Sequence, residues 1–175
     1  MYKARLATQL RKLFWLQIAS AFSVPLIGIF IGVLFLRLDD VNENYKKAGI
    51  FCLLRSVCNI FGIVRIKFFF LATGVSLVGL VFAVLSIYYE CKAHSQVLEC
   101  IDGRFSDRWL MLFKWNTAVL CSVPVIMLCS WLLPSLVLFL TPIVVIFGIV
   151  VTVFYLIYLY RTAEIFLNTK KEAVT

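Results

Sequence analysis

Long apolar runs leave this chain few ways to fold. Residues 13–36, 68–89 and 136–160 are apolar over 24, 22 and 25 positions, broken only by small or uncharged polar side chains. A helix needs ~20 such residues to cross the hydrocarbon core of a bilayer. A soluble domain of this size could not shelter three of these runs. Composition agrees: 63% of the 175 residues are hydrophobic, where a soluble domain has about half, and the mean hydropathy is +1.00. The expected class is an all-α, polytopic transmembrane helical bundle. A single membrane domain fills residues 1–175, with no room for a separate soluble domain.

Two further segments complete the expected bundle. Residues 110–133 form an apolar helix entered through Ser106 as N-cap, with Phe105 and Leu110 as a hydrophobic staple. Residues 48–64 are ambiguous. They are apolar except for Arg55, Ser56 and Asn59, and Ala48, Cys52, Arg55, Asn59 and Gly62 share one helical stripe. An interfacial helix would show a broader charged face, so the thin stripe favours an embedded helix whose small and polar side faces its neighbours. Counting it gives five spans (13–36, 48–64, 68–89, 110–133 and 136–160), with four as the runner-up. Residues 90–109 are then a cytoplasmic connection, closed by the Asp102-Gly103 turn. Pro134 and Ser135 should form a tight turn, Pro142 a kink, and the residues after 160 a short polar tail.

Charge sets the orientation. Lys and Arg total 17 against 9 Asp and Glu, a net charge of +8. No basic stretch is long enough for a nucleic-acid patch, so the excess reads as loops resting on anionic lipid. Either span count puts the 90–115 connection and the C-terminus in the cytoplasm. The two schemes differ on the N-terminus, which the Arg11-Lys12 pair draws to the cytoplasm.

Few residues can carry chemistry. No Asp or Glu falls inside an expected span, which disfavours an ion-coupled carrier. Arg55, with Asn59 one turn on, is the only ionisable side chain expected at membrane depth, and Cys52 and Gly62 share its stripe. Glu90, Cys91 and His94 lie close together, but with one His in the chain and no paired Cys spacing they do not make a metal site. Glu90 and His94 read as the solvated face of a cytoplasmic extension that runs on to Asp102 and Trp109. No cofactor is indicated. Small residues recur four apart at Gly28/Gly32, Ala72/Ser76, Gly79/Ala83 and Gly148/Thr152, a spacing that lets membrane helices approach closely. A weak internal match, 7 of 16 positions between residues 13–28 and 112–127, includes a shared Ser-Val-Pro.

The stretch Tyr88-Tyr89-Glu90-Cys91-Lys92-Ala93-His94-Ser95, with Ile101-Asp102 and Ser106-Asp107-Arg108-Trp109 after it, resembles small uncharacterised multi-pass membrane proteins of Gram-positive gut bacteria. The Asn44–Gly49 entry and the Tyr158–Ala163 exit add to the similarity. The resemblance implies a bacterial plasma membrane and carries over no activity and no site. The expected role is therefore a non-enzymatic binding or accessory protein, acting through helix–helix contacts with another membrane protein or a second copy. The alternatives are a small oligomeric channel or transporter lined by the Arg55–Asn59 stripe and, third, a membrane enzyme using the Glu90–His94 region.

Overall fold

A computed structural model describes residues 2–20, 26–63, 69–99 and 101–172. Side chains are described within 6–20, 26–61, 73–99 and 101–168, except at 131 and 134. The described chain is all-helical: α1 Tyr2–Ser20, α2 Ile27–Leu36, α3 Glu43–Ile63, α4 Phe69–Glu99, α5 Gly103–Leu132 and α6 Pro134–Glu172. Segments of α4, α5 and α6 (Thr73–Glu99, Gly103–Ser130 and Ser135–Asn168) are long and apolar enough to cross a membrane.

The helices pack in a ring. Each touches the next in sequence, and α6 closes the circle against α1. Neighbours run antiparallel, as their side-chain pairs show: Tyr45 with His94 between α3 and α4, Ser95 with Ser106 between α4 and α5, Trp109 with Thr162 between α5 and α6, and Gln17 with Tyr155 between α6 and α1.

The 13–36 run, expected as one continuous span, is divided between two helices. In α2, Gly28 lies against Ser56 and Gly32 against Leu53 and Gly49, so its C-terminus faces the start of α3. In α1, Phe14 meets Tyr160 and Gln17 meets Tyr155, so its N-terminus faces the end of α6. Both outer ends of this pair therefore lie at one end of the bundle. The pair is also short. Beyond Tyr155, α6 extends 21 residues back to Pro134, ~30 Å at 1.5 Å per residue. Beyond Cys52, α3 extends to Ile63, ~16 Å by the same rise. α1 is described to Ser20, three residues past Gln17, and α2 from Ile27. The result is a half-length helical hairpin set between two longer helices.

Glycine makes this hairpin fit. A Cβ on Gly32 would lie 2.8 Å from Leu53 Cγ and 3.2 Å from the Gly49 carbonyl, and one on Gly49 would lie 2.8 Å from the Gly32 carbonyl. The two backbones meet at a distance only glycine permits. Cys52 Sγ then donates to the Gly28 carbonyl at 3.3 Å.

The end of the bundle that holds the hairpin's outer ends also holds the 37–42 turn, the 101–102 turn and the end of α6. The turn between α4 and α5 is short because Asp102 caps α5, its carboxylate accepting from the Phe105 amide at 3.0 Å. This corrects the expected cap at Ser106, which is buried and bonded to Ser95. The expected polar connection of 90–109 is itself helical on both sides of this turn, and the expected polar tail continues α6 to Glu172. Proline does not break the long helices: Pro124 and Pro142 lie inside α5 and α6. Pro134 opens α6, where its missing N–H costs nothing. At the exposed start of α3, Lys47 pairs with Glu43 at 2.9 Å. That bond and charge hold the Glu43 carboxyl below its usual range and raise the Lys47 ammonium.

Candidate functional site: a polar cavity inside the helix ring

Within the ring lies a half-open cavity of about 910 Å³ to which all six helices contribute. In the ring α1 and α2 stand between α3 and α6. The α3 stripe read from sequence faces it: Cys52, Arg55, Ser56 and Asn59 all line the cavity. Opposite them stand Asn116 of α5 and Thr152 of α6, and the hairpin adds Gln17, Ser20 and Gly28.

Most hydroxyls here are already bonded to backbone. Ser56 donates to the Cys52 carbonyl, Ser86 to Ala48, Thr152 to Gly148 and Ser20 to Gln17, at 2.7–3.1 Å. Asn116 Nδ2 donates to the Leu112 carbonyl at 3.2 Å. Arg55 and Asn59 differ. Neither side chain makes a hydrogen bond or ion pair with a described residue. A guanidinium with five donors and a permanent charge is thus presented to the cavity without a carboxylate bonded to it.

Glu90 is the residue the sequence reading misplaced. It belongs to the body of α4, is only 4% exposed, and lines the same cavity. Tyr155 donates its hydroxyl to Glu90 Oε1, and Gln17 Nε2 donates to the Tyr155 oxygen at 3.1 Å. One turn on, His94 is fully buried rather than solvated. Its ring stacks on Trp109 with centroids 4.3 Å apart, and its Nδ1 meets the Tyr45 hydroxyl at 2.9 Å. Its Nε2 has no hydrogen-bond partner among the described residues and lies 3.9 Å from Glu90 Oε1. Trp109, fully buried too, donates from Nε1 to Thr162 Oγ1 at 3.2 Å. Cys91 is buried beside this network but does not line the cavity.

The α4 pattern held a signal for this. Glu90, His94 and Leu98 recur every four residues, with Cys91 and Ser95 beside them, and all five are buried. The 3.6-residue period of a buried face runs straight through the expected interface.

The remaining expected positions fall in different places. Gly28 and Gly32 lie on the α2–α3 contact, Gly79 faces Cys58 across α3–α4, and Gly148 faces Val119 across α5–α6 while lining the cavity. Ser76 is exposed on α4. The side-chain surroundings of Gly62 and Ala72 lie outside the described residues, as do Arg65, Cys100 and the Ser23–Pro25 part of the internal match. Asp102 caps α5 at the surface, away from the cavity. Among the described residues no group of three His, Cys, Asp or Glu side chains is placed to hold a metal ion.

In comparisons with family models, curated proteins and solved structures, none matches this chain.

Proposed function

We propose that this is a multi-pass membrane protein that binds a small organic anion in the cavity between its helices and carries it through the bilayer. The observation that supports this reading is Arg55, a cation facing a half-open cavity with no acidic partner bonded to it, Glu90 of the same lining being within electrostatic reach only. A charge at membrane depth is costly unless it is paired or solvated, and an anionic solute would supply both the pair and the hydrogen bonds. Asn59 and Asn116 offer uncharged polar groups around it. The volume lies within the range of small-molecule sites.

On this reading the chain crosses the membrane four times, through α3 to α6, and α1–α2 dips in and returns. Irregular or short elements are tolerated at membrane depth where they line a cavity. Of the 17 Lys and Arg, all but Arg55, Arg65, Lys67 and Lys114 belong to segments that converge on the hairpin's open end. By the positive-inside rule that end, with both termini, faces the cytoplasm, and the resemblance noted above places it in a bacterial plasma membrane. A partner-binding accessory role is the second reading. It draws on the broad apolar outer surface of α5 and α6, where Leu132 and Leu138 are among the most exposed side chains.

The test is ligand-dependent unfolding of the purified protein with acetate, succinate, citrate and inorganic phosphate, and glycerol as the neutral control. An anion at a hundredfold excess over its dissociation constant adds about 2.7 kcal/mol. At least one should stabilise the native protein and not Arg55→Gln. Stabilisation by none of them, or equal stabilisation of Arg55→Gln, refutes the reading.

A further inference from the structure

We propose that Glu90 and His94 form a proton-exchange site built into the cytoplasmic-end wall of the cavity, so that the protein takes up a proton together with its anion. The inference rests on the anion-binding reading for its coupling partner, but the site stands on its own geometry. Glu90 is a carboxyl at the cavity surface, and His94 is a fully buried imidazole directly behind it. The Nε2 of that imidazole lacks a partner among the described residues and faces Glu90 Oε1 across 3.9 Å, too long for a hydrogen bond and short enough to become one through a small side-chain shift. A buried nitrogen is rarely left unsatisfied, and the exceptions call for a reason. Here the reason is a proton that moves.

The step involves one proton and no other reactant. With Glu90 protonated, its hydroxyl faces a neutral His94 Nε2. Transfer breaks the Glu90 O–H bond and forms Nε2–H, leaving a carboxylate beside an imidazolium, the pair that the 3.9 Å gap closes on. The Nδ1 proton of that imidazolium stays on the ring and is donated to the Tyr45 hydroxyl oxygen, 2.9 Å away, which fixes the ring's orientation; the proton on Nε2 returns to Glu90 by the reverse step. Tyr155, anchored by Gln17, holds Oε1 throughout.

The surrounding charges fit this use. α3 presents Tyr45, Cys52 and Arg55, α4 adds Cys91 and α6 adds Tyr155, while α1, α2 and α5 present the uncharged Gln17, Phe35, Trp109 and Asn116. Glu90 is thus the one acidic side chain described at the cavity. A bound anion and an ionised Glu90 would repel each other, so the cavity best holds the anion when the carboxyl is protonated. Anion and proton then enter together, as symport requires.

Two measurements on the full-length protein decide the matter. Infrared difference spectra across pH, with no solute, should show a carboxyl band that titrates, disappears in Glu90→Gln and shifts its midpoint by about one pH unit in His94→Gln. Tyr155→Phe, which keeps the ring and removes only the donor, should move the same band and serves if a charge-neutralised variant fails to fold. In weakly buffered solution with a pH dye, adding succinate or phosphate should produce uptake of up to one proton per anion bound, lost in Glu90→Gln. Absence of a Glu90-dependent band, or an unchanged midpoint in His94→Gln, overturns the proton site even if anions bind. Anion binding without proton uptake overturns the coupling. If no anion binds, the binding reading fails and the infrared result still decides the site.

Discussion

The two ends of this bundle treat apolar surface in different ways. At the end that holds the 37–42 turn, Trp109, Tyr45, Phe35 and His94 are enclosed by protein, ring against ring. At the far end, α5 and α6 run on as a pair whose side chains point outward, with Leu132 80% and Leu138 75% exposed. Large apolar side chains are plentiful in both. The first region is a core of the soluble kind, with close packing and most polar groups satisfied. The second is an apolar surface left uncovered by the rest of the described chain. The cavity lies where the first gives way to the second, and its polar groups come from helices anchored at the packed end.

The contrast can be broken or sharpened by substitution, with unfolding measured in detergent. Trp109→Ala removes the largest fully buried side chain, together with its stack on His94 and its bond to Thr162, and should cost about 3–5 kcal/mol. Gly32→Val pushes α2 off α3, because its Cβ would sit 2.8 Å from Leu53, and should cost about 1–3 kcal/mol. Asp102→Ala removes the α5 cap and should cost about 1 kcal/mol. A Cβ at Gly74 would meet nothing within 4 Å, so Gly74→Ala should instead stabilise α4 by about 0.5–1 kcal/mol; a loss there would mean that this face of α4 is packed. Leu138→Ala at the far end should change stability by less than about 0.5 kcal/mol. A loss of several kcal/mol at Leu138 would erase the distinction between the two ends and point to a protein partner on that surface.

Much of the architecture could be read from residue order. The all-helical class follows from run length, and the close contacts at Gly28 and Gly32 lie in a small-residue spacing visible on inspection. The Cys52–Arg55–Asn59 stripe that faces the cavity follows from spacings of three and four. Two features could not be read in the same way. Residues 13–36 have the length and apolarity of a crossing helix, and nothing local distinguishes a helix that crosses from two that turn back. That choice is made by long-range pairs, Gln17 with Tyr155 and Gly32 with Gly49. The weak internal match shows how little the local signal decides: residues 112–127 lie inside one helix, while of residues 13–28 the described parts 13–20 and 27–28 belong to α1 and α2.

Glu90 was hidden for a different reason. It follows two tyrosines, the usual mark of a headgroup boundary, so by local pattern its charge belongs outside. Tyr155, Gln17 and His94 gather around it in space, two of them from helices far away in sequence. The expected lack of an acidic group at depth argues against an ion-coupled carrier. With Glu90 in the cavity wall, that argument no longer holds.

The central claim is that the first apolar run turns back, so that α1 and α2 stand between α3 and α6 in the ring around the cavity. The direct test is thiol labelling in sealed membrane vesicles, using single cysteines at the exposed positions Lys12, Asp40 and Asp107 in a background depleted of native cysteines. The account predicts that all three label from the same, cytoplasmic face. Labelling of Lys12→Cys and Asp40→Cys from opposite faces would make residues 13–36 a crossing span and contradict it.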